Sequence, residues 1–395
     1  LLRELRDRTG LAILFISHDL GTVARIADRV AVLRSGVLVE SGRTADVLAR
    51  PRHEYTRALL DATPDPSGPQ HASPRSREAV LEVSGLVVTH GRKRLFGGRM
   101  PVRAVDDVSF TLHRGETLGL VGESGCGKSS LARALAGLGA ATGAQVGGRI
   151  AWFGPRQLVF QHPDASLNPR RRVGELIGRP LARAGLSGAA RAREVGRWLE
   201  RVRLPAEYAR RFPHSLSGGE KQRVAIARAF AARPAAVICD EITSSLDVSV
   251  QAQVLELLER LQRDEGTALL FISHDLNVVR RIAHRLAVMY LGRFVEVRPM
   301  ASGRLDPPMH PYTEALMSAS PVTTPGLAAR RVRLAAALPG TVPSGCCFRT
   351  RCPRLLGPLC ELAPPVRRPG PEAAIACHIP LEDLAEVPPI WSKVA

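Results

Sequence analysis

Long apolar runs are missing from this 395-residue chain, and none nears the roughly 20 residues that a membrane-spanning helix needs. No positively charged segment followed by an apolar core opens it, so no secretory signal is read. Aromatic residues are scarce at 4%, and Lys93, Lys128, Lys221 and Lys393 are the four lysines. The formal net charge of +18 is therefore carried by arginines scattered along the whole chain. It comes without the basic helix or interleaved aromatics of nucleic-acid modules, which argues against nucleic acid as a partner. The charge reads as compositional bias and solvated faces, with attraction to anionic lipid headgroups a secondary reading. Tight C-x2-C pairs are also lacking, which weakens a zinc reading.

What is present begins with Gly122-Glu123-Ser124-Gly125-Cys126-Gly127-Lys128-Ser129, a G-x-x-x-x-G-K-[ST] phosphate loop complete at every fixed position. The apolar run 117–121 before it reads as a buried strand, and residues 129–138 after it read as a helix. Such a loop offers a row of backbone N–H groups and a positive helix end to a polyphosphate. Gly122, Ser124, Gly125, Gly127, Lys128, Ser129 and Ser130 are the candidate nucleotide contacts, with Lys128 on the β/γ-phosphates and Ser129 on Mg²⁺.

Further elements follow in order: Val159-Phe160-Gln161, Leu216-Ser217-Gly218-Gly219-Glu220, the apolar strand 236–239 ending in Asp240-Glu241, Ser245-Leu246-Asp247, and Ser273-His274-Asp275. Taken singly, Gln161 and His274 are ordinary polar residues at strand ends; order and spacing reverse that reading. With these motifs, residues from about 80 to 297 resemble the ATP-binding subunits of ABC transporters. The resemblance implies an α/β P-loop fold with a helical subdomain at about 162–215. It implies that Asp240 holds Mg²⁺ with Ser129 and Gln161, that Glu241 polarises the attacking water, and that His274 contacts the γ-phosphate. Ser217, Gly218 and Gly219 would cap the nucleotide of an opposite domain, and Asp247 would pass between the two. Cys126 and Cys239 read as packing residues.

Leu14-Phe15-Ile16-Ser17-His18-Asp19-Leu20 recurs as Leu270-Phe271-Ile272-Ser273-His274-Asp275-Leu276, an offset of 256. The match extends to His53-Glu54-Tyr55-Thr56 against His310-Pro311-Tyr312-Thr313. Residues 1–62 are accordingly expected to be the end of an earlier copy of the same domain, truncated, without phosphate loop or signature. A small accessory domain is the other reading, but sixty residues of an α/β domain bury little surface by themselves. Residues 63–77, rich in Pro, Ser, Gly and Arg, read as a linker; 78–300 form the complete domain, and 301–395 an extension. His18 is then a switch residue without a nucleotide of its own. The Lys128 site needs a second ATPase domain to supply a signature loop, and one isolated chain is expected to hydrolyse ATP poorly.

Two departures from the resemblance stand out. The segment 152–157 runs almost directly into Gln161, where relatives carry a longer insertion, and the adenine-stacking ring must be His90 or Phe96. Apolar residues Leu176, Ile177, Leu181, Leu186, Trp198, Leu199 and Val202 in the segment 173–212 read as core.

The tail carries Gly345-Cys346-Cys347-Phe348-Arg349-Thr350-Arg351-Cys352-Pro353, then Cys360 and Cys377. It resembles the C-terminal extension of oligopeptide and dipeptide importer ATPases, a feature shared with nickel importers. Four thiolates at Cys346, Cys352, Cys360 and Cys377 could hold an iron–sulfur cluster or Zn²⁺, with unligated thiols second. The resemblance implies an ATPase at the cytoplasmic face of the membrane. It would energise peptide import through membrane permease subunits and, indirectly, an extracellular peptide-binding protein. A soluble ABC-type ATPase unconnected with transport, or an inactive remnant, are the alternatives.

Overall fold

The computed structural model describes residues 2–17, 20–62, 76–93, 99–300, 307, 309–320, 327–334, 342–365, 367–369 and 374–393. His18, Phe96 and most of the expected linker lie outside them.

Strands Thr117–Val121, Ala236–Asp240 and Ala268–Ile272 are buried at every residue. Continuous apolar runs of this kind belong to a parallel sheet covered on both faces. They lie in an eight-stranded sheet ordered Arg367–Pro369, Ala374–Ala376, Arg293–Pro299, Arg285–Tyr290, Thr117–Val121, Ala268–Ile272, Ala236–Asp240, Arg156–Val159. The last five of these are mutually parallel. The extension supplies the antiparallel edge, with Glu296 and Val297 pairing with Ile375 and Ala374. A three-stranded antiparallel sheet, Arg99–His113, Ala79–Lys93, Ala144–Trp152, shares a core with the main sheet around Leu131 and Leu135.

Helix Lys128–Leu135 stops three residues short of the expected end. Gly137, at φ +79°, turns the chain, and the amides of Leu138 and Gly137 bond the carbonyls of Arg133 and Ala134, so the last carbonyls are satisfied without another turn. The expected helical subdomain contains Val173–Arg183 and Gly188–Arg201, whose Leu176, Ile177, Leu181, Trp198 and Leu199 are buried. Leu186 is partly buried against that core.

Residues before 63 form helices Leu2–Thr9, Leu20–Ile26, Thr44–Ala49 and Glu54–Ala62 and one hairpin, Arg29–Arg34 with Val37–Arg43. Helix Glu54–Ala62 packs on helix Val248–Glu265 of the larger domain, and Arg25 donates to the Ala319 carbonyl at 3.2 Å.

Candidate functional site

Four of the motifs meet because four adjacent parallel strands end on the same side. The phosphate loop follows Thr117–Val121, Asp240 ends its strand, Ser273-His274 follows Ala268–Ile272, and Gln161 follows Arg156–Val159. The carboxyl ends of parallel strands are where open α/β sheets bind ligands.

The loop turns into its helix at Gly127, φ +112°, where a side chain would strike the Ala104 carbonyl. At Gly125, φ +83°, the space a Cβ would enter is open. One side of the loop is thus packed and the other is an open cradle. Lys128 is buried and donates to the carbonyls of Gly122 (2.8 Å) and Glu123 (3.1 Å). Its ammonium lies 3.8 Å from the Glu241 carboxylate.

Ser129 Oγ donates to Asp240 Oδ1 at 3.1 Å. Burial pushes the Asp240 carboxyl up and the Ser129 bond opposes it. Two hard oxygens beside the cradle fit Mg²⁺, which takes few protein ligands and completes its shell with phosphate and water. Glu241 sits at φ +49°, an uncommon conformation for any residue other than glycine. Its amide is held by the Ile272 carbonyl at 3.0 Å. Gln161 Nε2 donates to its Oε2 at 3.2 Å, and His274 Nδ1 lies 3.4 Å from the same oxygen. Glu241 is the point at which Lys128, Gln161 and His274 converge. Ser130 Oγ contacts His90 Nε2 at 3.1 Å, while Ser124 is exposed.

The signature residues do not join this cluster. Ser217 accepts from the Glu220 amide and Glu220 from the Ser217 amide at 2.8 Å, a reciprocal cap on helix Gly218–Phe230. The Ser217 amide holds the Glu220 carboxyl below its ordinary range. Ser217 and Gly218 are exposed, with Gly219 half-buried behind them. Asp247 is exposed too and caps helix Val248–Glu265 through the Val250 amide at 2.9 Å.

Three partners at the site were not read as such from the sequence. Ser244 Oγ accepts from Gln161 (3.2 Å) and donates to the Glu241 carbonyl (2.9 Å). Tyr312 and Arg351 reach the phosphate loop from far along the chain. The reciprocal cap was legible as Ser-x-x-Glu.

Cys346, Cys347, Cys360 and Cys377 are buried and Cys352 half-buried. Burial pushes the thiols of Cys347 and Cys352 up to about 12 and about 11. Cys346, Cys360 and Cys377 lie near enough to Cys352 to raise it further. Among the described residues, no group of three or more His, Cys, Asp or Glu converges as a metal site. Cys346, Cys352, Cys360 and Cys377, the expected iron–sulfur or zinc ligands, therefore do not by themselves form such a group.

The ABC transporter family model matches residues 105–244. The model of the oligopeptide/dipeptide transporter C-terminal region matches twice, at 39–86 and at 296–358. The glutathione import ATP-binding protein GsiA of Pectobacterium atrosepticum is 42% identical over 387 residues, covering 87% of this chain and 61% of that protein. GsiA of Escherichia coli is 42% identical over 382 residues with the same coverage. The chain thus spans about 61% of the length of these curated relatives. Among solved structures, a dimeric ATP-binding cassette in a post-hydrolysis state, bound to ADP and Pi, aligns at 24% identity and a TM-score of 0.49. That alignment covers 56% of this chain and 98% of the other. By these matches the chain carries an ABC transporter domain at residues 105–244 and the C-terminal region of oligopeptide/dipeptide transporters.

Proposed function

We propose that the chain binds and hydrolyses ATP to energise import of short peptides through membrane permease subunits, at the cytoplasmic face of the membrane. The convergence of Lys128, Gln161 and His274 on Glu241, beside the Ser129–Asp240 pair, carries this reading. Mg²⁺ bound there would neutralise charge on the β- and γ-phosphates. Lys128 exchanges its loop carbonyls for phosphate oxygens, and Glu241 accepts a proton from the attacking water. Gln161 and His274 orient that carboxylate and the water. The name of the relatives, glutathione import, supports a short peptide over a nickel chelate as cargo.

The exposure of Ser217, Gly218 and Asp247 supports completion of the site by a second ATPase domain. The double match of the C-terminal region supports a domain order of 1–62 as the end of a first copy, 63–77 as linker, 78–300 as the complete copy and 301–395 as extension. ATP turnover of the purified chain is expected to rise steeply with protein concentration and to vanish in Lys128→Ala and Glu241→Gln. Turnover per molecule that stays constant down to nanomolar protein overturns the need for a second domain; turnover that survives both substitutions overturns the site. The mutual proximity of the tail thiols supports a shared role for the four cysteines, with an iron–sulfur cluster as the proposal. Iron and zinc analysis of anaerobically purified chain tests it, and no metal with freely reactive thiols overturns it.

A further inference from the structure

We propose that the C-terminal extension sets the nucleotide affinity of the phosphate loop by clamping Glu123, with Arg351 and Tyr312 as positioning residues; this rests on the ATP-site reading above.

Glu123 is the second residue of the loop, at a position where the motif accepts any side chain. Its three polar groups face three different ways. The carboxylate takes a two-pronged bond from Arg351, Nη1 to Oε2 at 2.8 Å and Nη2 to Oε1 at 3.1 Å, across 228 residues of sequence. The amide donates to the hydroxyl of Tyr312 at 2.9 Å. The carbonyl accepts from Lys128 at 3.1 Å. The two peptide planes that flank Glu123 are thus held, one by the extension and the other by the lysine that is to meet phosphate.

The clamp is rigid because its own parts are buried. Tyr312 is fully buried, Arg351 is 7% exposed, and the Arg351 guanidinium lies over the Tyr290 ring at 5.9 Å. Tyr290, Tyr312 and Phe348 pack edge to face or tilted at 4.7 to 5.4 Å between centroids. In a chain with four tyrosines, two stand behind this loop. Electrostatics gives the clamp its consequence. A carboxylate in the loop repels the polyphosphate that the cradle is to receive, and a fork-matched guanidinium neutralises it while fixing its direction.

Mg-ATP affinity by calorimetry on the full chain, with steady-state kinetics, tests the clamp. Arg351→Ala is expected to weaken Mg-ATP binding about tenfold, since a charged partner is left uncompensated. The loss should fall on KM, with kcat at saturating ATP within about twofold of the parent. Adding Glu123→Gln to Arg351→Ala should recover most of the affinity, which a merely structural role for Arg351 does not allow. Tyr312→Phe removes a single oxygen and keeps the packing; about threefold weaker binding is expected. Arg351→Ala and Tyr312→Phe both binding as the parent does overturns the clamp, as does failure of Glu123→Gln to rescue. Lys128→Ala binding Mg-ATP like the parent overturns the ATP-site reading instead.

Discussion

In the hairpin Arg29–Arg34 with Val37–Arg43, Leu33 pairs with Leu38 just past a register shift at Val32; 256 residues later, in Arg285–Tyr290 with Arg293–Pro299, Met289 pairs with Phe294 just past a shift at Val288. Both turns place two residues at positive φ, Ser35 and Gly36 in one, Leu291 and Gly292 in the other. Two-residue hairpin loops demand that, because only such turns match the twist of the strands. In the second strand of each hairpin a glutamate collects the chain that follows. Glu40 accepts from the amides of Arg52 and His53; Glu296 accepts from the amide of His310 and the hydroxyl of Thr313. His53 and His310 then each accept from an amide two residues on, at 3.0 Å.

Burial separates the two. Leu38 is 57% exposed where Phe294 is 3%, and Leu14 is 90% exposed where Leu270 is 1%. The segment 268–272 is a strand between two parallel neighbours, whereas its twin at 12–16 forms no strand. Turns and caps are local hydrogen-bond solutions and recur wherever the sequence recurs. A strand interior depends on neighbours for both its ladder and its cover, and so does not.

The largest expected break between the copies comes from Leu270→Ser against Leu14→Ser. The first removes apolar contacts and buries a hydroxyl, costing about 5 kcal/mol in urea unfolding; the second changes stability by less than about 0.5 kcal/mol. Phe294→Ala should cost about 3–5 kcal/mol and its counterpart Leu38→Ala again about 0.5 or less. Glu296→Gln removes a fully buried counter-charge of the half-buried Arg298 and is expected to cost about 3 kcal/mol. Glu40→Gln, at the half-buried twin, should cost about 1 kcal/mol, and hydrogen exchange of the two hairpins separates the effects.

The smallest difference concerns acid. Burial, helped by the Arg354 charge, pushes His310 down to about 3, so the ring stays neutral when folded. An unfolded imidazole takes a proton near pH ~6.5, so this contribution is complete above that pH and is lost as pH falls toward 3. Between pH ~6.5 and ~5 the loss amounts to about 2 kcal/mol. His310→Asn is expected to make the acid limb of the stability profile shallower by that amount, with a smaller change from His53→Asn.

Much of the site was readable before any coordinates. Lys128, Ser129, Gln161, Asp240, Glu241 and His274 belong to motifs whose residue types the chemistry dictates, and the sheet brings them together because each follows or ends a parallel strand. The end of helix Lys128–Leu135 was misjudged since Gly137 is a stop signal set inside an apolar stretch. The tail cysteines were read as one ligand set from composition, while their thiol geometry is fixed by loops that hydrophobic periodicity does not describe. Tyr312 and Arg351 stood in motifs that the sequence shows, but their reach to the phosphate loop, like the place of Ser244, was not legible, because a partner chosen by folding leaves no spacing rule behind.

By itself the sequence determined the phosphate loop, the order of the motifs, the repeat at 256 residues, and the turns and caps that repeat with it, since each is a short-range match of residue type to backbone or ligand chemistry. Only the tertiary structure decided which copy of the repeat is buried, that the signature serine is exposed and spends its bonds on Glu220, and that Arg351 grips Glu123. Those outcomes depend on which strands lie side by side and which surfaces then exclude water, and no local pattern carries that information.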